Sequence, residues 1–285
     1  MINKQIMVYS VPRTGSTFIW QCLKKIFKQV FKAHRDHLWY CSSPARIATR
    51  KYEAVLDYSF PCVITERDSM DCFFSQWRKD NWASEAHFHE WLCIAYGDEP
   101  SVPVQYPIKE YDGWSRKNDE SAVFNIEKFK EVCNANIEKW YAKNQFKPVG
   151  PHRSIREIMV TFRKHLEDLE KIKKKYAGPV LVLHYEQFWN DYDYIFSEFE
   201  KFFDITISEE IKTEIKNTTS QNSNKVAQEK LKGFRRMNSS QIHGGHIFLA
   251  EPGYSNKILN AKNLRRMQTL LTCDLDDILE IELEA

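Results

Sequence analysis

Three short stretches hold residues whose types and spacing can do chemistry. The first is Pro12-Arg13-Thr14-Gly15-Ser16-Thr17, which follows the apolar run Ile6–Tyr9 and precedes Phe18, Leu23, Ile26 and Phe27 at helical spacing. Strand, tight loop and helix is the arrangement that seats an anion on a helix start, where unpaired backbone N–H groups and the helix dipole both favour negative charge. Gly15 lets backbone approach a ligand, Ser16 and Thr17 offer hydroxyls, and Arg13 offers a cation. The usual triphosphate loop, G-x-x-x-x-G-K-[ST], is not matched: no Gly opens the stretch, and Ser16 stands where Lys would follow Gly15. The same six residues also suit an ordinary strand-to-helix turn with Thr14 or Ser16 as N-cap.

The second stretch is Cys62–Glu66 followed by Arg67-Asp68-Ser69 and an apolar helix-like run, with Ser75 eight residues after Arg67. Eight residues is about two helical turns, so a guanidinium and a hydroxyl can face one point, a pairing suited to a second phosphate. The competing reading is a salt-bridged Arg at a helix start and a helical Ser with no ligand. The third stretch is Lys32-Ala33-His34-Arg35-Asp36-His37. An imidazole has the right unperturbed pKa for a general base, and this run follows a strand, where ligands bind in open α/β sheets. His34 is the first candidate and His37 the second, with Asp36 as an orienting group. Otherwise the run is a surface loop with incidental histidines.

These residues need elements to hold them. The pattern predicts strands near 5–11, 29–34 and 61–66, and helices near 16–28, 43–58 and 68–80. That alternation implies βαβ units and a parallel sheet. Residues 98–119 are rich in Pro and read as a loop, followed by helices near 122–146 and 153–176. Residues 178–186 read as a central parallel strand, being continuously apolar after Gly178-Pro179. An amphipathic helix spans 192–205. The polar stretch 216–240 reads as mobile when empty, and 257–284 as helical. The expected fold is α/β, a P-loop-type central parallel sheet flanked by helices. It would form one domain over 1–285, with 97–176 as a helical insertion capping the acceptor side.

Composition narrows the classes. Of 285 residues, 42% are hydrophobic, enough for a sizeable core. Lys plus Arg number 41 against 39 Asp plus Glu, a net charge of +2. Such balance argues against broad attachment to nucleic acid or membrane. Seven Cys without a C-x-x-C pair argue against a disulfide framework or zinc site and fit a reducing compartment. Neither a signal-peptide pattern nor an apolar run of 18 residues is present, so the expectation is a soluble, cytoplasmic protein. Trp77, Trp82, Trp91, Trp114, Tyr106 and Tyr111 suit core packing first and an acceptor pocket second.

Together the motifs resemble the sulfotransferase superfamily, enzymes that use 3′-phosphoadenosine 5′-phosphosulfate (PAPS). Residues 12–17 match its first motif, P-[KR]-[ST]-G-[ST]-[ST], throughout. The resemblance implies that Arg13, Thr14, Gly15, Ser16 and Thr17 hold the 5′-phosphosulfate, and that Arg67 and Ser75 hold the 3′-phosphate. Lys32–His34 resembles the family's K-T-H segment, which implies His34 as the base. Residues 182–191 resemble the strand-plus-helix segment carrying Y-E-D; Glu186 there would hold a loop or a backbone amide. Residues 244–258 resemble the closing segment of bacterial members, with Tyr254 where Trp is common. The family's C-terminal Arg-Lys-Gly triplet is not present as such, and Lys232, Gly233, Arg235 and His246 are the candidates for its place. The resemblance covers about 1–80 strongly, 178–205 fairly and 230–260 weakly, and leaves 97–176 uncovered.

What it implies is sulfuryl transfer from PAPS to a hydroxyl or amine by in-line displacement, with 3′-phosphoadenosine 5′-phosphate (PAP) as product and no metal. The acceptor would be a small molecule or saccharide. Two other classes compete. A P-loop small-molecule kinase would need the Gly-Lys-Ser/Thr that this loop lacks. A non-catalytic nucleotide-binding relative would keep the loop, Arg67 and Ser75 without turnover.

Overall fold

In a computed structural model, the chain is described over residues 1–34, 37–39, 46–49, 59–81, 126–143, 155–230 and 251–273. These residues belong to two compact units. One draws on Met1–Asp68, His165–Leu231 and Arg235–Pro252, the other on Ser69–Lys164, Lys232–Phe234 and Gly253–Ala285.

The first unit holds the sheet. Its strands are β1 (Ile2–Ser10), β2 (Phe27–His34), β3 (His37–Trp39), β4 (Arg46–Thr49), β5 (Cys62–Glu66) and β6 (Val180–His184), in the order β4-β3-β2-β1-β5-β6. The four strands β2, β1, β5 and β6 run parallel. Helix α1 (Ser16–Ile26) crosses over between β1 and β2. The fold is therefore α/β with a parallel sheet and flanking helices, as the alternating pattern predicts.

The center of the sheet follows from composition. In β1 the polar start, Asn3 to Gln5, is exposed and everything from Ile6 to Ser10 is buried. β5 is buried from Cys62 to Thr65. A core of Ile6, Val8, Val63 and Leu183 meets the inner face of α1 (Ile19, Trp20, Leu23) and of α6 (Tyr192–Phe203). Each fully buried aromatic or aliphatic side chain there contributes roughly 1.5–3 kcal/mol relative to exposure. Asp191 caps α6 by accepting from Tyr194 N at 2.9 Å. Gly178 is required where β6 begins: a Cβ there would lie 2.6 Å from the Phe60 carbonyl oxygen.

Three expectations need correction. Residues 46–49 fall within the expected helix 43–58 but form β4, antiparallel to β3. Ile47 and Thr49 are β-branched, and pairing with β3 outweighs helix propensity there. β3 is itself antiparallel to β2, so the parallel sheet carries an antiparallel ribbon at one side. β6 is not central; among the described residues it is the outer strand beyond β5, and only Leu183 of it is fully buried. Its apolar run covers one packed edge, not two faces. Finally, Lys216–Glu229 is ordered in α7 (Glu209–Thr219) and α8 (Gln221–Glu229). These polar helices are tied down by Asn224, whose buried side chain exchanges amide bonds with Gln21 at 3.0 and 3.2 Å.

The second unit contains α2 (Ser69–Asn81), α3 (Ile126–Lys143), the start of α4 (Ile155–Lys175), α9 (Tyr254–Ile258) and α10 (Ala261–Thr272). The short α5 (Tyr185–Phe188) belongs to the first unit and follows β6 directly. In the second unit Phe73 of α2 packs on Phe162 of α4, and Phe74 packs on Tyr254. Asn134 ties α3 to α9 and α10, donating to Ile258 O at 2.9 Å and accepting from Asn260 N at 2.9 Å. The expected loop 98–119 and the expected helical tail beyond residue 273 lie outside the described residues.

Among the described residues, no helix is long and apolar enough to cross a membrane. Cys22, Cys62, Cys72, Cys133 and Cys273 carry no disulfide. Burial pushes the Cys22 thiol up to about 12, so it stays protonated in the core.

Candidate functional site

β1 ends at Ser10, and five residues later α1 begins. The turn is built from two left-handed residues flanking Thr14: Arg13 at φ 77° and Gly15 at φ 79°. Gly15, not Thr14 or Ser16, is the N-cap of α1, and no side chain caps the first amides of the helix. Gly15 is there for two reasons. Its φ disfavours any side chain. A Cβ would also meet Tyr185 Cδ2 at 2.8 Å and Phe188 at 3.0 Å. The rings of α5 thus form the wall behind the loop, and they contact each other edge to face at 5.2 Å.

The Thr14 hydroxyl is engaged within the protein. It donates to Val11 O at 2.9 Å and lies 2.7 Å from the Thr65 hydroxyl. Thr14 has one proton, already given to Val11, so Thr65 is the donor of the second bond. Ser16 and Thr17 are buried in the first turn of α1. No acidic side chain occupies that turn.

A cation missing from the expected site residues stands at this helix start. Lys32 of β2 is buried, at 5% relative exposure, and donates from Nζ to Thr17 Oγ1 at 2.5 Å. The parallel register, Val8 with Lys32, brings this amino group to the end of β1. The Lys that is absent after Gly15 thus has a counterpart on the neighbouring strand. The signal was present in Lys32-Ala33-His34, a run that draws attention for its His alone. Buried lysines are rare enough that one in a strand is itself a functional sign.

Arg67 follows β5 and belongs to the same unit. Its Nη1 donates to Arg13 O at 3.4 Å, and its guanidinium lies 4.2 Å from the center of the Tyr185 ring. Nη2 donates to Glu251 O at 3.4 Å. Glu186 accepts from Asp68 N at 2.8 Å, which is the backbone-holding role expected for it. Beside it, Glu66 is engaged by Lys173 at 2.7 Å, and His184 Nδ1 lies 3.6 Å from the same carboxylate.

The remaining predicted residues separate into three groups. Ser75 is buried in the second turn of α2 and belongs to the second unit. His34 ends β2 and His37 begins β3; they are register partners across the antiparallel ribbon. Since Ala33 is level with Tyr9, the backbone of His34 lies beside the end of β1, where the loop departs. Asp36, Lys232, Gly233, Arg235 and His246 lie outside the described residues.

Asp71 was not singled out by the sequence. Fully buried, it accepts from Gly253 N at 2.6 Å, Ser255 N at 3.0 Å and Ser255 Oγ at 2.6 Å. No group of three or more His, Cys, Asp or Glu that could hold a metal ion occurs among the described residues.

No family model matches the chain, and no curated protein matches it. Among solved structures the chain is similar to the crystal structure of mouse sulfotransferase SULT7A1 complexed with PAP. The identity is 12%, the match covers 98% of this chain and 90% of that chain, and the TM-score is 0.47.

Proposed function

We propose that this chain is a PAPS-dependent sulfotransferase that moves a sulfuryl group to a hydroxyl or amine acceptor, acting as one domain over 1–285. The observation that carries the proposal is the start of α1. It is capped by a left-handed glycine, free of acids in its first turn, and supplied with a buried lysine at Thr17. Such a place suits an anion that carries its charge at one end. The resemblance of residues 12–17 to the sulfotransferase motif supports reading that anion as a phosphosulfate.

PAPS would supply an activated sulfuryl group, which the acceptor takes by in-line attack at sulfur as the bond to the 5′-phosphate breaks. Arg13, the amides of Ser16 and Thr17, and the Lys32 ammonium stabilise charge on the transferring and leaving oxygens. His34 accepts the acceptor's proton, with His37 in reserve. By the motif resemblance the 3′-phosphate falls to Arg67 and Ser75, with Lys232, Gly233 and His246 as the further candidates. Arg67 serves a guanidinium's purpose there: a fixed charge with donors in a plane.

Calorimetric titration tests this reading. PAP should bind the wild-type protein far more tightly than ATP with magnesium, and Arg67→Ala should weaken PAP roughly 100-fold. Preference for ATP with magnesium would move the proposal to a kinase. Binding of PAP without transfer to any acceptor would move it to a non-catalytic relative. If His34→Ala and His37→Ala both leave turnover intact, the base lies elsewhere.

A further inference from the structure

The phosphate loop has an anchor that no motif includes. Thr65 is the penultimate residue of β5, has no exposed surface, and is level with Ser10 at the end of β1. Its hydroxyl gives its proton to Thr14 Oγ1, and Thr14 gives its own to Val11 O, at 2.7 and 2.9 Å. Thr14 is the one residue between two left-handed neighbours, Arg13 and Gly15. Pinning its side chain fixes the peptide planes on both sides, and those planes set where the amides of the helix start point. Thr65 and Arg67 are two apart at the end of one strand. They hold consecutive loop residues, Thr65 through the Thr14 hydroxyl and Arg67 through the Arg13 carbonyl. A left-handed non-glycine residue is unfavourable, so the loop keeps this shape only while its surroundings impose it.

Resting on the phosphate-loop reading above, we propose that Thr65 is a positioning residue that holds the loop in its anion-binding shape. It touches no ligand itself. Thr65→Val keeps the bulk but removes the donor, leaving the Thr14 oxygen unserved; Thr65→Ser restores it.

Two readouts test this. In unliganded protein, the Ile19 N–H donates to Gly15 O at 3.2 Å, so its hydrogen exchange reports the loop's hold on the helix. Thr65→Val should speed that exchange about tenfold relative to the Ile64 amide in the core, and Thr65→Ser should return it. In titrations, Thr65→Val should weaken PAP and adenosine 5′-monophosphate alike, about tenfold, while adenosine 3′-monophosphate is unaffected. Unchanged Ile19 exchange overturns the proposal. So does equal weakening of all three nucleotides, which marks a general loss of structure. If wild-type protein binds none of them, the sulfotransferase reading falls, while the Ile19 exchange still decides the role of Thr65.

Discussion

Two helix starts in this molecule share one backbone and have opposite surroundings. α1 begins at Gly15, φ 79° and ψ 10°; α9 begins at Gly253, φ 74° and ψ 13°. Neither has a capping side chain of its own. At Gly253 the protein supplies an anion from within: the Asp71 carboxylate takes two backbone amides and the Ser255 hydroxyl. At Gly15 the protein supplies cations instead, with Lys32 on Thr17 and Arg13 within the turn. The start at Gly253 is a closed anion site and shows what this backbone does with negative charge. The start at Gly15 carries no acidic side chain in its first turn, the arrangement expected of a site whose anion arrives from outside.

The contrast breaks most severely at Asp71. Asp71→Ala leaves three donors unserved, two of them buried, and should cost roughly 3–5 kcal/mol of stability, read by denaturant unfolding. A loss under 1 kcal/mol would mean that water replaces the carboxylate easily and the site is not closed. Next comes Gly15→Ala, which meets the Tyr185 and Phe188 rings as well as an unfavourable φ; about 2–4 kcal/mol of stability and most PAP affinity should go. Lys32→Met should lower PAP affinity roughly 10- to 100-fold with little change in unfolding midpoint, since the methylene stem keeps its packing. Equal affinity in that variant would remove Lys32 from the site. Smallest is Gly253→Ala. A Cβ there meets nothing within 4 Å, so only the left-handed φ resists it, about 1–2 kcal/mol. The gap between the two glycine variants measures what the α5 rings contribute to the shape of the loop.

How much of this could be read from the sequence depended on range. The loop was legible because strand, turn and helix lie within 25 residues, and Pro12–Thr17 sits between two apolar patterns of different period. The burial of Ile6–Ser10 and the inner face of α1 follow the same local rule. Lys32 was not legible as a site residue, because only the β1–β2 register brings its amino group to Thr17. Asp71 depends on partners 182 and 184 positions away, and nothing in the residues around it announces them. β6 misled through its own composition: Val180 to Leu183 is apolar enough for a central strand, but an outer strand needs the same residues against β5. The polar stretch after Lys216 misled in the other direction. Asn224 and Gln21 satisfy each other's amides, Lys216 pairs with Asp193 and Thr219 meets Tyr192, so order there rests on long-range polar partners that the local composition does not announce.

The wall behind Gly15 is also a matter of timing. Tyr185 and Phe188 are some 170 residues downstream of the glycine they back. At ribosomal speeds of about 5–20 residues per second, the loop emerges on the order of 10–30 s before its wall exists. Through that interval β1, α1, β2 and β5 can associate and Thr65 can pin Thr14, but the rings that close against Gly15 are still to come. β6 must also close a long chain loop before it can join β5. A nascent chain halted before residue 185 would therefore carry the whole Pro12–Thr17 motif and its Thr65 anchor and still lack the wall that Gly15 is shaped to meet. The finished loop should appear late and all at once, as the last parallel strand and the short helix after it dock.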